Sequence, residues 1–306
     1  MDELRNASEL PLELQPRFVQ SNYLNIVNGV IGLIGIIINF FTFMTCYKLE
    51  KKYKTSFTTI MQILALWDGL SCGDIGIRTG ILRPLGINIQ HINNGVCKIT
   101  WVAISCTFIE SLWYVVLLTC ERVFSIKFPI TYKTYGTTKN ALNVCLLLSI
   151  FFILLSLPHA YYFKVDKGIC TADIRLTFYY QYYYAFHYVL SLLIPGVIVV
   201  CGNLIIVDAL CKWSSKRKSN GSEFSTSVLL IVISITFLVG ILGSSILTVL
   251  NSNIKASTPK NIAQLYFQYA ITNLFSLINN AVNFVFYIIA TKSFRETFIS
   301  IILCRS

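Results

Sequence analysis

Seven long stretches of apolar residues fill most of this 306-residue chain. A helix needs about 20 mostly apolar residues to cross the hydrocarbon core of a bilayer, and every stretch reaches that length. Membrane-spanning strands would instead alternate apolar and polar residues over about 10 positions, whereas a run such as residues 146–152 is apolar on nearly every side. We therefore predict seven transmembrane helices, called spans 1 to 7, near residues 24–47, 57–82, 97–126, 141–163, 178–211, 224–250 and 262–290.

The composition agrees with a chain that lives in a bilayer. Hydrophobic residues make up 55% of the sequence and charged residues only 13%, and this balance excludes a water-soluble globule. The predicted fold class is an all-α membrane protein, a seven-transmembrane helix bundle at residues 23–290. A polar segment at residues 1–22 precedes the bundle, and residues 291–306 follow it.

The loop charges indicate which end of the bundle faces the cytoplasm. Seven helices place the two chain ends on opposite sides, and Lys and Arg concentrate in cytoplasmic loops. An extracellular N-terminus puts most of the basic residues inside: Lys48, Lys51, Lys52, Lys54, Arg122, Lys127, Lys133, Lys139, Lys212, Lys216, Arg217, Lys218, Lys292, Arg295 and Arg305. We predict a plasma-membrane protein in this orientation. Its net charge of +11 needs no nucleic-acid partner, because anionic membrane lipids attract the same clusters.

The N-terminal segment carries one modification motif. Asn6-Ala7-Ser8 is a glycosylation acceptor if this end is extracellular, although so short a motif also arises by chance. No apolar stretch precedes residue 22, so we expect span 1 to serve as the insertion signal in place of a cleaved peptide.

Two of the ten cysteines are expected on the oxidising side of the membrane. Cys97 lies at the outer end of span 3, and Cys170 lies in the loop between spans 4 and 5. We predict a disulfide between them, since the alternative leaves two exposed free thiols. The other cysteines fall within helices or on the inner side, where they are expected to stay reduced.

Polar and ionisable side chains within membrane helices are functional candidates, because burying them is costly. Asp68 lies midway along span 2, and asparagines stand at corresponding depths in spans 1 and 7: Asn39, Asn279, Asn280 and Asn283. A shared hydrogen-bond network would satisfy all of them. Span 3 carries Glu110 within the membrane and ends with the charged pair Glu121-Arg122.

Several motifs at fixed spacing resemble those of the rhodopsin-like G-protein-coupled receptors, over roughly residues 22–304. Cys97 precedes Arg122 by 25 positions, as the family's outer cysteine precedes its arginine. Phe294 follows Tyr287 by seven positions, again as in the family. The remaining matches are Leu64-Ala65-Leu66-Trp67-Asp68, Pro129, Pro195 and Asn283-Phe284-Val285-Phe286-Tyr287.

The resemblance implies a sodium site and an activation switch. The sodium ion would be held by oxygen-bearing side chains, namely Asp68, Ser111, Asn279 and Asn283. The alternative is a water-filled network without an ion. In the switch, Arg122 would bond Glu121 and, in the inactive state, Glu223 at the start of span 6. Phe237, Pro195, Asn283 and Tyr287 would relay the change. A simpler interpretation is that Glu121-Arg122 anchors a helix end at the lipid headgroups.

The sequence also departs from the family pattern. Gly240-Ile241-Leu242-Gly243 stands where span 6 usually has Cys-Trp-x-Pro, and Phe284 replaces the proline of span 7. Val123 and Asn203 replace two tyrosines of the activation relay. These changes put the details of that relay in doubt and leave the predicted fold standing.

The spans lack residues that two classes of ligand, amines and retinal, require. Ile104 stands where amine receptors of the family have an aspartate, and span 7 has no lysine for a retinal Schiff base. The predicted pocket is lined by Asp74, Arg78, Ile104, Glu110, His187, Tyr269 and Asn273. The aromatic run at residues 178–184 lies at its mouth and would suit a short peptide. Equally, these tyrosines could form an interfacial belt, and Asp74 could neutralise Arg78.

Short segments are similar to invertebrate FMRFamide and myosuppressin receptors: Ser111-Leu112-Trp113, Glu121-Arg122 and Lys127-Phe128-Pro129. The similarity implies an extracellular neuropeptide as ligand and a heterotrimeric G protein as partner. A lipid or another small molecule is the alternative ligand. A decoy receptor that does not couple and a transporter are alternative functions. No internal repeat supports the transporter, and no enzyme motif is present.

Residues after span 7 predict a helix that lies on the membrane surface. Phe294, Phe298, Ile301 and Ile302 recur at helical spacing beside basic residues. The family resemblance identifies this segment as its eighth helix. Cys304 is then a palmitoylation site, or else an unmodified thiol.

Overall fold

The computed structural model describes residues 15–215, 227–236, 238–240 and 259–303. Six of its helices are long and apolar enough to cross a membrane: Val19–Tyr53, Ser56–Leu82, Asn94–Lys127, Thr138–Tyr162, Gln181–Lys212 and Ala263–Ala290. A shorter apolar helix, Ser227–Gly240, corresponds to span 6. The predicted all-α bundle of seven spans is confirmed.

The full helices extend beyond the apolar stretches, because hydropathy marks only the part that lies in hydrocarbon. Span 1 is Gln15–Tyr53, span 3 is Asn94–Lys127 and span 7 is Pro259–Ala290. The other spans are built from successive pieces: Ser56–Gly73 and the π-helix Asp74–Leu82 in span 2, Thr138–Ser156 and Pro158–Tyr162 in span 4, and Thr177–Tyr188, the π-helix Val189–Leu193 and Ile194–Ser215 in span 5. Short helices occupy Ile89–His91, Pro129–Tyr135 and Ile174–Leu176, and the eighth helix is Lys292–Ile302.

Side-chain caps fix where three spans begin. Thr55, Asn93 and Thr137 each accept a hydrogen bond from a backbone N–H in the first turn of spans 2, 3 and 4, respectively. Such caps satisfy amide groups that the helix itself leaves unpaired. Thr55 and Thr137 also form an isolated antiparallel bridge, which joins the short loops at one end of the bundle.

A β-hairpin that the sequence analysis treated as a loop lies between spans 4 and 5. Strand β1, Phe163–Asp166, pairs antiparallel with β2, Ile169–Ala172. The turn residues Lys167 and Gly168 both have positive φ, 48° and 76°, as two-residue hairpin turns of this kind require. Cys170 of β2 is bonded to Cys97, so the predicted disulfide is confirmed. We call the disulfide end of the bundle the outer end and the Arg122 end the inner end.

Spans 1 and 2 approach each other closely at glycines. A Cβ atom placed on Gly76 would lie 2.7 Å from the Cα of Gly32, and one on Gly29 would lie 3.0 Å from the backbone of Gly80. Only glycine allows the two backbones so near. The contact lies in the π-helical part of span 2, and it therefore fixes the depth and rotation of this segment against span 1.

Apolar side chains fill the interior of the bundle and also cover its outside, as expected for a protein surrounded by lipid. The inner half holds an apolar core that includes Leu64, Tyr114, Leu118, Tyr287 and Phe294, each at most 1% exposed. Large apolar side chains of span 4 point outward instead: Leu142, Leu146, Leu147, Ile150, Phe151 and Leu154 are 47–68% exposed. In a membrane this face would contact lipid tails.

The eighth helix is amphipathic, as predicted. Phe294 is fully buried, and Phe298 packs against Phe284 and Phe41 with ring centroids 5.0 and 5.8 Å apart. Lys292 and Arg295 on the opposite face are exposed. This arrangement lays the helix across the inner end of the bundle with its charges toward solvent.

Candidate functional site

A buried network centred on Asp68 connects spans 1, 2, 3 and 7. Asp68 is 1% exposed. Ser111 donates a hydrogen bond to Oδ1 at 2.5 Å, and Asn283 donates one to Oδ2 at 2.8 Å. No Lys, Arg or His in the described residues pairs with this carboxyl group. Asp68 is thus an acid held in the interior by neutral donors alone.

Asn280 extends the network toward span 1 and the outer end. Its Nδ2 donates to Ser71 Oγ at 2.8 Å, and its backbone carbonyl accepts from Asn39 at 3.1 Å. Its Oδ1 lies 3.4 Å from Ser111 Oγ and 3.5 Å from Asn279 Nδ2. Asn279 was predicted to lie around Asp68, but in the structure Asn280 links Ser111 to the rest of the network.

A cavity of about 220 Å³ opens on the outer side of this network. Its lining contains no Asp, Glu, Lys or Arg, as far as the described residues show. The polar lining residues are Ser71, Ser105, Ser111, Ser191, Ser276, Asn279, Asn280, His159, His187 and Tyr188, and the others are Trp101, Ile104, Phe108, Leu112, Leu192, Gly240 and Phe275. Ser71, Ser111, Asn279 and Asn280 therefore belong to both the cavity and the Asp68 network.

Two histidines form one wall of the cavity. His187 Nε2 lies 3.0 Å from Ser105 Oγ, and His159 Nδ1 lies 3.1 Å from the hydroxyl of Tyr183. The two imidazole rings meet edge to face, with centroids 5.6 Å apart. Sequence reasoning selected His187 and left out His159, since only the packing of spans 3, 4 and 5 brings the two together.

Of the seven predicted pocket residues, only Ile104 and His187 line this cavity. Asp74 and Arg78 form an ion pair through two hydrogen bonds of 2.8 Å. They therefore neutralise each other, which was the alternative to a role in the pocket. Asn273 contacts Thr79 at 3.5 Å, and the ring of Tyr269 faces the guanidinium of Arg83 at 5.6 Å. These residues pack spans 2 and 7 together beside the cavity.

Glu110 faces span 4 and not the cavity. It is fully buried, and its Oε2 accepts a hydrogen bond from Ser149 at 3.2 Å. Its Oε1 has no partner in the described part of the chain. Helical geometry explains the difference, because Ser111 is the next residue and points about 100° away, toward Asp68.

The inner charged pair is arranged differently from our expectation. Glu121 accepts hydrogen bonds from Ser56 at 2.8 Å and from the hydroxyl of Tyr132 in the short helix Pro129–Tyr135. Arg122 forms no ion pair with Glu121 and instead lies over the ring of Phe57, 4.6 Å from its centroid. The predicted bond between Glu121 and Arg122 is thus replaced, because neighbouring helical side chains diverge.

Tyr132 is well suited to hold Glu121. Burial and the negative charge of Glu121 raise the pKa of Tyr132 to about 12. The phenol therefore keeps its proton at neutral pH and donates a hydrogen bond to the carboxylate. The Tyr132 hydroxyl also lies 2.9 Å from Ser56 Oγ, so a triangle of close polar contacts, with both hydroxyl groups donating to Glu121, joins span 2, span 3 and the loop helix.

Two other predicted switch residues have defined contacts. Pro195 is buried just after the π-helix of span 5, where Trp113 Nε1 donates to the carbonyl of Leu190 at 3.0 Å. Tyr287 is 1% exposed and packs against Phe294 with ring centroids 5.4 Å apart. Its hydroxyl has no hydrogen-bond partner in the described residues.

Four predicted site residues lie outside the described residues: Asn6, Glu223, Phe237 and Cys304. The cysteines expected to stay reduced are free wherever the structure describes them: Cys46, Cys72, Cys106, Cys120, Cys145, Cys201 and Cys211.

Charged side chains on the outer hairpin compensate one another. Asp173 accepts from Arg175 at 2.7 Å and from Lys164 at 3.0 Å. Hydrogen bonds from Arg175 and then Lys164 hold the pKa of Asp173 well below its usual range. This acid therefore stays ionised down to strongly acid pH.

The profile described as 7 transmembrane receptor (rhodopsin family) matches residues 38–287. The match runs from span 1 through Tyr287 of span 7 and includes the Asp68 network, the cavity and the inner Glu121-Arg122 pair. The chain belongs to the rhodopsin family of seven-transmembrane receptors.

Proposed function

We propose that the chain binds an extracellular ligand and activates a heterotrimeric G protein. The observation that carries the proposal is the continuity between the cavity and the Asp68 network, which share Ser71, Ser111, Asn279 and Asn280. A ligand in the cavity would contact side chains that also form hydrogen bonds within the Asp68 network at the centre of the bundle. Binding can therefore bias how spans 2, 3 and 7 pack against one another.

The mechanism is a two-state equilibrium between a closed and an open inner end. A ligand shifts such an equilibrium only by its difference in affinity for the two states. At the inner end, the triangle of Glu121, Tyr132 and Ser56 ties the loop helix to spans 2 and 3. Opening would separate these groups and free Arg122 from Phe57 for contact with the G protein.

We propose a neuropeptide as the ligand, with an uncharged part of it in the cavity. The lining offers hydroxyl, carboxamide and imidazole groups among aromatic rings, and its described residues include no Asp, Glu, Lys or Arg to pair with a free amine or carboxylate. At about 220 Å³ the cavity is smaller than typical sites for drug-sized ligands, so it would hold only the end of a peptide. A compact lipid or small molecule is the second candidate, because the same lining suits any largely apolar ligand.

A sodium ion beside Asp68 is a further part of the proposal. The buried carboxyl group has no cationic partner in the described region, and Ser111 and Asn280 add neutral oxygens nearby. Asn283 turns its amide nitrogen toward Asp68, so Asn280 replaces it in the expected oxygen set. When bound, the ion would offset the charge of Asp68. Replacing sodium by choline should lower the melting temperature of the wild type and leave that of Asp68→Asn unchanged.

The proposed orientation places the disulfide and the hairpin outside the cell. Disulfides persist in that compartment, and the basic inner segments follow the loop-charge rule. Glycosylation at Asn6 and palmitoylation at Cys304 remain proposals that depend on this orientation. Mass spectrometry of the chain purified from cell membranes would test both modifications.

Nucleotide exchange tests the proposed function. Membranes that carry the chain would be combined with a panel of G proteins and with pooled neuropeptides or lipids. Exchange that rises with one pool and disappears in Arg122→Ala supports a coupled receptor. Absence of exchange with every pool, despite surface expression and detectable ligand binding, would favour a non-coupling decoy.

A further inference from the structure

Arg83, the residue after the last turn of span 2, has a positively charged side chain without an ion-pair partner among the described residues. Arg83 is half-buried, and no carboxylate of the described residues lies within ion-pairing distance of it. Arg78, five residues earlier, is neutralised by Asp74. Asp173, directly after strand β2, is already bound by Lys164 and Arg175. Among the described residues, no carboxylate thus compensates the charge of Arg83 at the outer end.

Two tyrosines of span 7 orient this side chain. The guanidinium of Arg83 lies 5.3 Å from the ring centroid of Tyr266 and 5.6 Å from that of Tyr269. Both distances fall within the range of cation–π attraction. The rings contact the guanidinium without accepting its in-plane hydrogen bonds. Because its side chain makes no hydrogen bond to any described residue, its N–H donors remain for an outside acceptor.

A second donor stands nearby. His91 Nδ1 accepts a hydrogen bond of 2.8 Å from the backbone N–H of Cys170, which ties the imidazole to the disulfide. Burial and the charge of Arg83 lower the pKa of His91. The ring is therefore neutral at pH 7 and carries its proton on Nε2, the nitrogen that does not accept from Cys170. A guanidinium and an imidazole N–H thus lie at the outer end of the bundle, close enough for the charge of Arg83 to act on His91.

We propose that Arg83 binds the acid group of a soluble extracellular ligand: a carboxylate, a sulfate or a phosphate. A planar guanidinium with free donors matches these groups through paired, charge-assisted hydrogen bonds. The described residues that line the cavity include no Lys or Arg to receive such a group, so the acid of a ligand would stay at Arg83 while its uncharged part enters the bundle. This inference rests on the proposed function, which places Arg83 on the extracellular side of the membrane.

Benzoate and its neutral counterpart benzamide are suitable probes. The purified full-length chain in dodecyl maltoside, a detergent without phosphate, would be titrated with each probe by saturation-transfer NMR. Benzoate should bind the wild type, and its Kd should rise by at least about tenfold in Arg83→Gln, as expected for loss of a charge-assisted bond. Arg175→Gln is the matched control, since that outer arginine is already paired with Asp173.

A further variant keeps the test decisive if Arg83→Gln fails to fold. Arg83→Lys retains the charge but loses the planar fork, so benzoate affinity should lie between the wild type and the full loss. Equal benzoate affinity in the wild type and both Arg83 variants would overturn the proposal. An equal loss of benzoate affinity in Arg175→Gln would overturn it as well.

A lipid phosphate is the other source of the same chemistry. Benzoate titrations in nanodiscs of phosphatidylcholine, with and without phosphatidylglycerol, separate the two sources. Benzoate binding that persists in both supports a soluble ligand, whereas binding that phosphatidylglycerol abolishes assigns Arg83 to lipid and overturns the proposal. Neither titration uses a G protein, so its failure is distinguishable from failure of nucleotide exchange.

Discussion

Trp113 is expected to stabilise span 5 by replacing a hydrogen bond that Pro195 cannot make. In the π-helix, the N–H of Ile194 bonds the carbonyl of Val189, five residues earlier. An N–H at position 195 in the same register would reach Leu190, but proline has none. Trp113 Nε1 donates to that carbonyl at 3.0 Å instead.

Trp113→Phe should therefore cost about 1 kcal/mol. Hydrogen bonds between membrane helices contribute about 0.6–1.7 kcal/mol, and a partly buried carbonyl left without a donor adds to the loss. Phenylalanine retains most of the contact with Phe152, whose ring centroid lies 5.2 Å away. The melting temperature should fall by roughly 2–4 °C.

A double-mutant cycle with Pro195→Ala isolates this bond. Alanine supplies its own N–H to span 5, so Trp113→Phe should cost close to nothing in that background. Thermal unfolding can be followed with a thiol-reactive dye, because Cys46, Cys72 and Cys145 are buried until the chain unfolds. Trp101→Phe is the control, since Trp101 Nε1 has no described partner and its stacking on Phe163 survives. An equal loss from Trp113→Phe in both backgrounds would refute the reasoning.

Three further predictions concern the inner end, the span 1 contact and the hairpin. Tyr132→Phe removes the donor to Glu121, and basal nucleotide exchange should rise a few-fold over the wild type; unchanged exchange would contradict the triangle as a restraint. Gly76→Leu should lower the melting temperature far more than Gly196→Leu, because a Cβ at Gly76 meets the span 1 backbone and one at Gly196 meets nothing within 4 Å. The low pKa of Asp173 means that its bonds stabilise the hairpin fully above the unfolded value of about 4. That contribution is lost only as pH falls toward the lower folded pKa, so an NMR titration should show no midpoint for Asp173 between pH 4 and 7.

Much of the fold could be predicted from the sequence because the bilayer imposes a simple length and hydropathy rule. The disulfide followed from the same reasoning, since the predicted topology left only Cys97 and Cys170 on the oxidising side. The hairpin around them was missed because its strands have four residues each. Such short strands give little periodicity, and the turn at Lys167-Gly168 was their only local signal.

The site was harder to predict because it depends on helix rotation. Sequence places Glu110 and Ser111 at one depth, but which of them faces Asp68 is decided by how span 3 packs. The same uncertainty affected Asn279 and Asn280. Glu121 and Arg122 likewise diverge, and the partner of Glu121 comes from Tyr132 in a loop helix, a contact that no motif within span 3 could indicate.

Ligand affinity measured with and without a G protein tests the central claim most directly. Coupling between two binding sites is reciprocal, so a ligand that promotes G-protein binding must itself bind more tightly when the G protein is present. A labelled activating ligand should therefore show a lower Kd on the full chain with nucleotide-free heterotrimer, and GTPγS should reverse the change. The same Kd with and without every class of heterotrimer would contradict the proposed receptor function.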